Sequence, residues 1–151
     1  MPWFSIPSYG NLVCVRLTDY WPFQSGLSKA EKKMEGGIHD RRDNLLYPLE
    51  DYLEGKAPYV SLACDYTGGK PGNRSEFKIY GYRVRLPAVE SKMGVSFIDF
   101  RLVDTGGRFY GKKKKILLAG HEPIDVCRRS KPEGEASLDG MSVSLVLYGH
   151  P

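Results

Sequence analysis

The segment VSFIDFRLVD, residues 95–104, carries the pattern that decides the fold. Aromatic and β-branched residues are enriched in it, and Ile98, Phe100 and Leu102 fall on one face because strand side chains alternate with a period of two. Asp104 has the same parity. The pattern therefore predicts a strand whose last residue delivers a carboxylate on the core side.

The chain then continues directly into Thr105, Gly106 and Gly107. Two glycines remove side chains where a ligand must approach the backbone, and their N–H groups can bind an anion or a hydroxyl. A tight turn capped by Asp104 is the alternative explanation. The sequence leaves both interpretations of this turn open.

The rest of the chain repeats the strand signal with little helix. Further segments enriched in β-branched and aromatic residues, bounded by Gly, Pro, Asn or Ser, predict strands at 11–17, 58–64, 76–86, 115–119, 123–127 and 142–149. Two short helices are expected: residues 28–35, where Ser28 and Glu31 have capping-box spacing, and residues 48–55, which begin with proline and end with glycine. We expect a mainly β fold, closed into a barrel of about six strands, with short peripheral helices.

Composition limits the class of protein. A chain of 151 residues with 41% hydrophobic and 26% charged residues fits a single globular domain, which we place at residues 1–151. No apolar run is long enough for a membrane span. The net charge of +4 gives only mild attraction to polyanions. The first residues, MPWFSIPSYGN, lack the features of a secretory signal, so the sequence does not indicate an export route. We expect the protein to be a monomer.

Cysteine and histidine give no sign of a metal or cofactor. Cys14, Cys64 and Cys127 are odd in number, fit neither a zinc site nor a disulfide framework, and lie in apolar segments, which predicts small buried hydrophobes. The histidines have no metal-ligand spacing with one another or with the cysteines; they are His39, His121 and His150. We therefore expect neither a metal nor another cofactor.

Two more acids occupy strand positions. Asp125 lies between Ile124 and Val126, and Asp65 ends an apolar strand in SLACD. Aspartate is depleted in strands and costs free energy when it is buried without partners. We expect Asp104 and Asp125 to meet at one groove, with Asp65 near them.

With these acids in place, YVSLACD, VDTGGRFYG and IDVC together resemble the three-aspartate (3D) domain of cell-wall lytic enzymes, a family that includes MltA-like lytic transglycosylases and stationary-phase muralytic proteins. LTDY, residues 17–20, resembles the strand with which such domains begin. The resemblance covers roughly the last two-thirds of the core. It implies a six-stranded double-psi β-barrel.

The resemblance also implies a function. Such enzymes act in the cell envelope on peptidoglycan glycan strands, cleaving the bond between N-acetylmuramic acid and N-acetylglucosamine to give 1,6-anhydromuramyl products. Asp125 matches the acid/base, Asp104 the supporting carboxylate and Asp65 the third, orienting acid. Positions matching substrate contacts are Thr18, Tyr20, Thr105, Gly106, Gly107 and Tyr82.

The chain departs from the family pattern between Asp104 and Asp125, which lie farther apart, with residues 112–122 expected to form a loop beside the groove. A wall- or polysaccharide-binding barrel without catalysis, as in expansin-like relatives, is the alternative function. Sugar rings could stack on four aromatics, although burial in the core competes with this use: Trp21, Tyr80, Tyr82 and Phe109. Specific nucleic-acid binding ranks last because the lysines at 112–115 are bunched in one loop.

Overall fold

The computed structural model describes residues 12–31, 37–64, 80–104 and 122–151. The strands are β1 (Leu12–Tyr20), β2 (Val60–Cys64), β3 (Tyr82–Arg85), β4 (Phe100–Asp104), β5 (Glu122–Cys127) and β6 (Ser142–Gly149). The helices are α1 (Leu49–Leu53), α2 (Pro87–Met93) and one 3-10 turn (Gly134–Ala136). Among these residues the fold is mainly β with few, short helices, as the sequence predicts. The strand expected at 115–119 lies outside the described residues.

The six strands form a closed barrel in the order β1-β5-β2-β4-β3-β6. Two of its contacts are parallel, β1 with β5 and β2 with β4, and the other four are antiparallel. Closure gives every strand two hydrogen-bonded neighbours, so these strands leave no open edge for another chain to pair with. The expectation of a barrel is confirmed at this level.

Alternation along each strand fills the barrel interior. In β1, Val15 and Leu17 are fully buried, so Cys14 and Arg16 face outward and are exposed. The expectation that every cysteine is buried is therefore wrong for Cys14, although Cys64 and Cys127 are buried. Each large apolar side chain removed from water contributes about 1.5–3 kcal/mol. The bulkiest interior residues are Phe100, Leu17, Leu62, Leu102, Ile124 and Leu145.

A second, smaller group of buried side chains, here called the outer cluster, packs on the outside of the barrel and consists of Tyr20, Leu46, Ala63, Val103 and Cys127. The segment 38–47 runs over the outer surface of the barrel at this cluster. The Ser61 N–H donates to the Tyr47 carbonyl, and the Tyr47 N–H donates to Ser61 Oγ. These bonds hold the segment against the outside of β2.

The short helices follow local signals. Pro48 stands in an extended conformation before α1, and Gly55, at φ 76°, follows its end. The expected capping box forms: the Ser28 N–H donates to Glu31, and the Glu31 N–H donates to Ser28 Oγ. Helix α2, which the sequence analysis does not predict, begins at Pro87 and ends before the left-handed Gly94.

Several strand boundaries differ from expectation. β2 begins at Val60 rather than at residue 58, and β3 begins at Tyr82, after a turn at residues 80–81, where the sequence predicted a strand across 76–86. β1 continues to Tyr20, and β4 begins at Phe100 rather than at residue 95. Just before β4, two backbone N–H groups bond to side chains: the Ile98 N–H donates to Glu90 and the Asp99 N–H donates to Tyr52 Oη. The Asp99 carbonyl accepts from the Val60 N–H of β2. The apolar content of the segment therefore extends beyond the strand itself.

Candidate functional site

One row of residues crosses four neighbouring strands. Thr18 in β1 pairs with Asp125 in β5, Asp125 pairs with Ala63 in β2, and Ala63 pairs with Asp104 in β4. The two acids thus flank a single alanine on the same side of the barrel. This arrangement is here called the acid row.

A β-bulge puts Asp104 into this row. Leu62 pairs with Leu102, but the next residue, Ala63, pairs with Asp104 because the register shifts past Val103. A slip of one residue moves a side chain to the opposite face. Ala63 and Val103 both belong to the outer cluster, so Asp104 joins the outer face. The expectation that Asp104 continues the core-facing parity of Leu102 is therefore wrong.

Asp125 faces outward by simple alternation, since Ile124 and Val126 point into the core. It is nevertheless buried, with 6% of its surface exposed. The Thr18 hydroxyl donates a hydrogen bond to its carboxylate. A buried carboxylate requires such partners, because its desolvation is otherwise costly. The side chain is thus held in a fixed orientation beneath the surface.

Tyr20 brings a hydroxyl to the same place. Its ring lies in the outer cluster, and its hydroxyl is fully buried without a hydrogen-bond partner of ordinary geometry among the described residues. Burial raises the pKa of Tyr20 well above its usual value, and the neighbouring Cys127, Asp104 and Asp125 raise it further. A neutral phenol therefore stands within electrostatic reach of both carboxylates.

Ala63 leaves room for this grouping. Adjacent strands lie about 4.8 Å apart, so the backbones of Asp104 and Asp125 are separated by roughly 10 Å across β2. A large side chain at position 63 would occupy the space between the two acids. Burial also raises the pKa of the Cys127 thiol well above its usual value, which makes it a neutral neighbour.

A cleft opens beside Thr18 at the end of β1. Its volume is about 200 Å³, and its lining residues are Thr18, Asp19, Trp21, Lys131, Pro132, Ser137 and Asp139. The Lys131 ammonium lies 5.8 Å from the centroid of the Trp21 ring. Because Thr18 belongs both to the cleft and to the acid row, the two features are continuous.

The remaining predicted site residues divide into two groups. Tyr82 packs partly buried against the inner core and meets His150 edge to face at 4.7 Å, so the structure does not bring it to the acid row. The second group lies outside the described residues and consists of Asp65, Thr105, Gly106 and Gly107. The expected loop at 112–122 also lies outside them, apart from the backbone of its last residue.

Sequence analysis missed several participants. Ala63 and Cys127 join the site only through strand pairing, for which a single sequence holds no signal. Asp19 is different: it is 6% exposed and binds the equally buried Arg128, and an acid within an apolar strand is itself a signal. In the described ranges no three side chains of the metal-binding types come together, and no helix there has the length and hydropathy to span a bilayer.

The site was also compared with known proteins at the level of the whole chain. The resemblance to three-aspartate domains depends on the three quoted motifs, of which the described residues include Asp104 and Asp125 but not Asp65. Comparison with protein-family models, with curated proteins and with solved structures finds no match to this chain.

Proposed function

We propose that this protein is a lytic transglycosylase that acts in the cell envelope, cleaving the bond between N-acetylmuramic acid and N-acetylglucosamine in peptidoglycan. The observation that carries the proposal is the acid row. It holds a buried Asp125, oriented by Thr18, with one strand, β2, between it and a second carboxylate, Asp104. The motif resemblance assigns the acid/base role to the same Asp125.

The reaction needs one carboxyl group used twice. Protonated Asp125 donates its proton to the glycosidic oxygen, and the bond from that oxygen to muramyl C1 breaks. The resulting carboxylate then takes the proton from the muramyl 6-hydroxyl, whose oxygen bonds to C1 and closes the 1,6-anhydro ring. Asp125 ends protonated again, and no water is consumed.

The neighbours of Asp125 suit this cycle. The Thr18 hydroxyl fixes the orientation of the carboxyl group, which favours transfer to one glycosidic oxygen. The resemblance gives the supporting role to Asp104, which is partly exposed and stands across Ala63 in the same row.

We further propose that the barrel is of the double-psi type. The closed order of six strands and the two parallel contacts, β1 with β5 and β2 with β4, support this assignment. Each parallel pair joins strands that are distant in the chain, as interlocking crossovers require.

A polysaccharide-binding barrel without catalysis is the second candidate function. The cleft that contains Trp21 favours it, because flat aromatic faces bind sugar rings whether or not a bond is cleaved. The two functions predict different outcomes with the same glycan: the enzyme cleaves it, and the binding barrel leaves it intact.

The deciding experiment is digestion of purified peptidoglycan followed by mass spectrometry of the released fragments. We expect 1,6-anhydro ends from the unmodified protein and a roughly 10²- to 10⁴-fold loss of activity for Asp125→Asn, the range that general acid–base catalysis contributes. Asp104→Asn should lose less activity and shift the optimum to lower pH, because removing a negative charge makes the remaining acid easier to ionise.

The matched control is Asp43→Asn. Asp43 is exposed and has a left-handed φ of 63°, which asparagine tolerates, so its activity should stay unchanged. Reducing ends instead of anhydro ends would indicate hydrolysis. A glycan that binds but stays intact would support the binding barrel, and greater loss from Asp104→Asn than from Asp125→Asn would exchange the two roles.

A further inference from the structure

The cleft beside Thr18 has a composition that points to a ligand of its own. We propose that it binds one neutral sugar ring next to the acid row. The proposal rests on the proposed function only for the identity of the glycan. The lining of the cleft combines one aromatic ring, hydroxyl groups and two exposed charges of opposite sign.

The floor of the cleft is rigid. The Asp19 carboxylate accepts hydrogen bonds from the Arg128 guanidinium at 2.8 Å, the Ser137 hydroxyl at 2.9 Å and the Leu138 N–H at 2.9 Å. Arg128 also donates to the Ala136 carbonyl at 2.9 Å. These bonds fix the loop that follows β5 onto the end of β1. A site with a fixed floor loses little conformational entropy when a ligand binds.

The wall offers one apolar face and two polar ends. Trp21 is half-buried and supplies a flat ring of the kind that packs against the apolar face of a pyranose. At the rim, Lys131 can donate to a sugar hydroxyl and Asp139 can accept from one. The Lys131 backbone is itself held, because its N–H donates to the Gln24 side chain at 2.6 Å.

The charges favour an uncharged ligand. Lys131 and Asp139 are both exposed and offset each other, while the charge of Asp19 is matched by Arg128 at the floor. An anionic polymer would gain from Lys131 and lose against Asp139. A neutral ring with hydroxyl groups can use both residues as hydrogen-bond partners.

The size and position define how much of the glycan is bound. The cleft measures about 200 Å³. Pockets for drug-sized ligands typically occupy about 300–1,000 Å³, so this one suits a single ring. Thr18 lines the cleft and also donates to Asp125. A ring bound there would therefore lie beside the acid and hold the chain for cleavage of a neighbouring bond.

The test uses the linear tetramer of N-acetylglucosamine, a neutral probe, and isothermal titration calorimetry. We expect saturable binding, a loss of about tenfold in affinity for Trp21→Ala, which corresponds to about 1.4 kcal/mol, and partial recovery for Trp21→Phe, because the smaller ring keeps part of the aromatic contact. The matched control is Phe97→Ala, which removes an exposed aromatic outside the cleft and should leave affinity unchanged.

A fluorescence version locates the ligand. The chain has two tryptophans, so Trp3→Phe leaves Trp21 as the sole reporter, and its emission should change as the tetramer binds. The urea unfolding midpoint of each variant, compared with that of the unmodified protein, separates lost binding from lost folding.

The outcomes separate this site from the proposed reaction. Tetramer binding that needs Trp21, with no cleavage of peptidoglycan by the unmodified protein, would support the cleft and overturn the transglycosylase. A second outcome is that the unmodified protein cleaves peptidoglycan while a folded Trp21→Ala variant keeps the same affinity for the tetramer and the same KM for peptidoglycan. That outcome would overturn the sugar site in the cleft and leave the proposed reaction intact. Absence of saturable tetramer binding by the folded, unmodified protein would also overturn the cleft.

Discussion

Tyr20 brings a hydroxyl into the otherwise apolar outer cluster. This hydroxyl is buried, has only the Cys127 thiol as a weak hydrogen-bonding neighbour among the described residues, and lies within electrostatic reach of Asp104 and Asp125. A poorly satisfied buried hydroxyl costs stability, whereas phenylalanine fills the same space at no such cost. The Tyr20 hydroxyl therefore carries a stability cost at a position beside both acids of the row.

Tyr20→Phe tests this balance. We expect it to raise the free energy of unfolding by about 1 kcal/mol, since the cost of an unsatisfied group is removed, and to lower cleavage of peptidoglycan. The measurements are urea denaturation and the fragment assay. The control is Tyr80→Phe, which should reduce stability because the Tyr80 hydroxyl donates to Asp40 at 2.6 Å. If Tyr20→Phe loses as much stability as Tyr80→Phe, the Tyr20 hydroxyl stabilises the fold and the prediction is wrong.

At the scale of elements, a buried ion pair joins the strand ends to α1. Arg128 follows β5 and binds Asp19 in β1 at 2.8 Å and Glu50 in α1 at 2.9 Å, with only 5% of its own side chain exposed. The next residue, Arg129, binds Asp51 and Glu54 from an exposed position. Two neighbouring arginines thus contact the same helix with very different burial.

The two arginines should differ sharply on substitution. Arg128→Met leaves the buried Asp19 carboxylate without its counter-charge, and removing one partner of a buried pair typically costs about 3–5 kcal/mol. Arg129→Met breaks exposed pairs, which are worth about 0–1 kcal/mol. Urea denaturation of both variants gives the comparison. Equal, small effects would show that water or another group compensates Asp19.

The elements also show how far a single sequence leads. Composition and alternation predicted most strands, and the presence of Asp125 within one of them. The bulge at Val103 could not be foreseen, because it exists only in the pairing of β4 with β2. Helix α2 could have been predicted, since Pro87 and Gly94 are ordinary start and stop signals around it.

At the scale of the whole molecule, a closed barrel could be expected but its strand order could not. Many short strands need their edges covered, which favours closure. The order depends on non-local pairings, such as Thr18 with Asp125, that no local pattern contains. The candidate site shows the same limit. The sequence places Asp104 and Asp125 in their strands, but their alignment in one row across Ala63, and the cleft beside that row, depend on the pairing register.

Buried tyrosines predict how the whole molecule responds to alkali. Burial raises the pKa values of Tyr20, Tyr80 and Tyr148, and hydrogen bonds to Asp40 and Asp99 raise those of Tyr80 and Tyr148 further. The unfolded chain loses these protons near pH 10, the ordinary value for tyrosine. The folded state keeps them to higher pH, so the stability they contribute is present below about pH 10 and is lost as pH rises further.

The check is the urea unfolding midpoint at pH values from 7 to 11, combined with tyrosinate absorbance. We expect the midpoint to fall above about pH 10, and part of the tyrosine signal to appear only on unfolding. Tyr20→Phe should make the decline shallower because one raised pKa is removed. A midpoint that stays level through this range would contradict the assignment of these buried hydroxyls.

The barrel order also constrains how the protein is made. Among the described strands β1 is synthesised first, yet its two neighbours, β5 and β6, are synthesised last. At about 5–20 residues per second, translation from Leu12 to Gly149 takes on the order of ten seconds. Until β5 has been made, neither backbone edge of β1 has its native partner, and the second edge waits for β6. The barrel therefore cannot close until the ribosome has delivered its final strand.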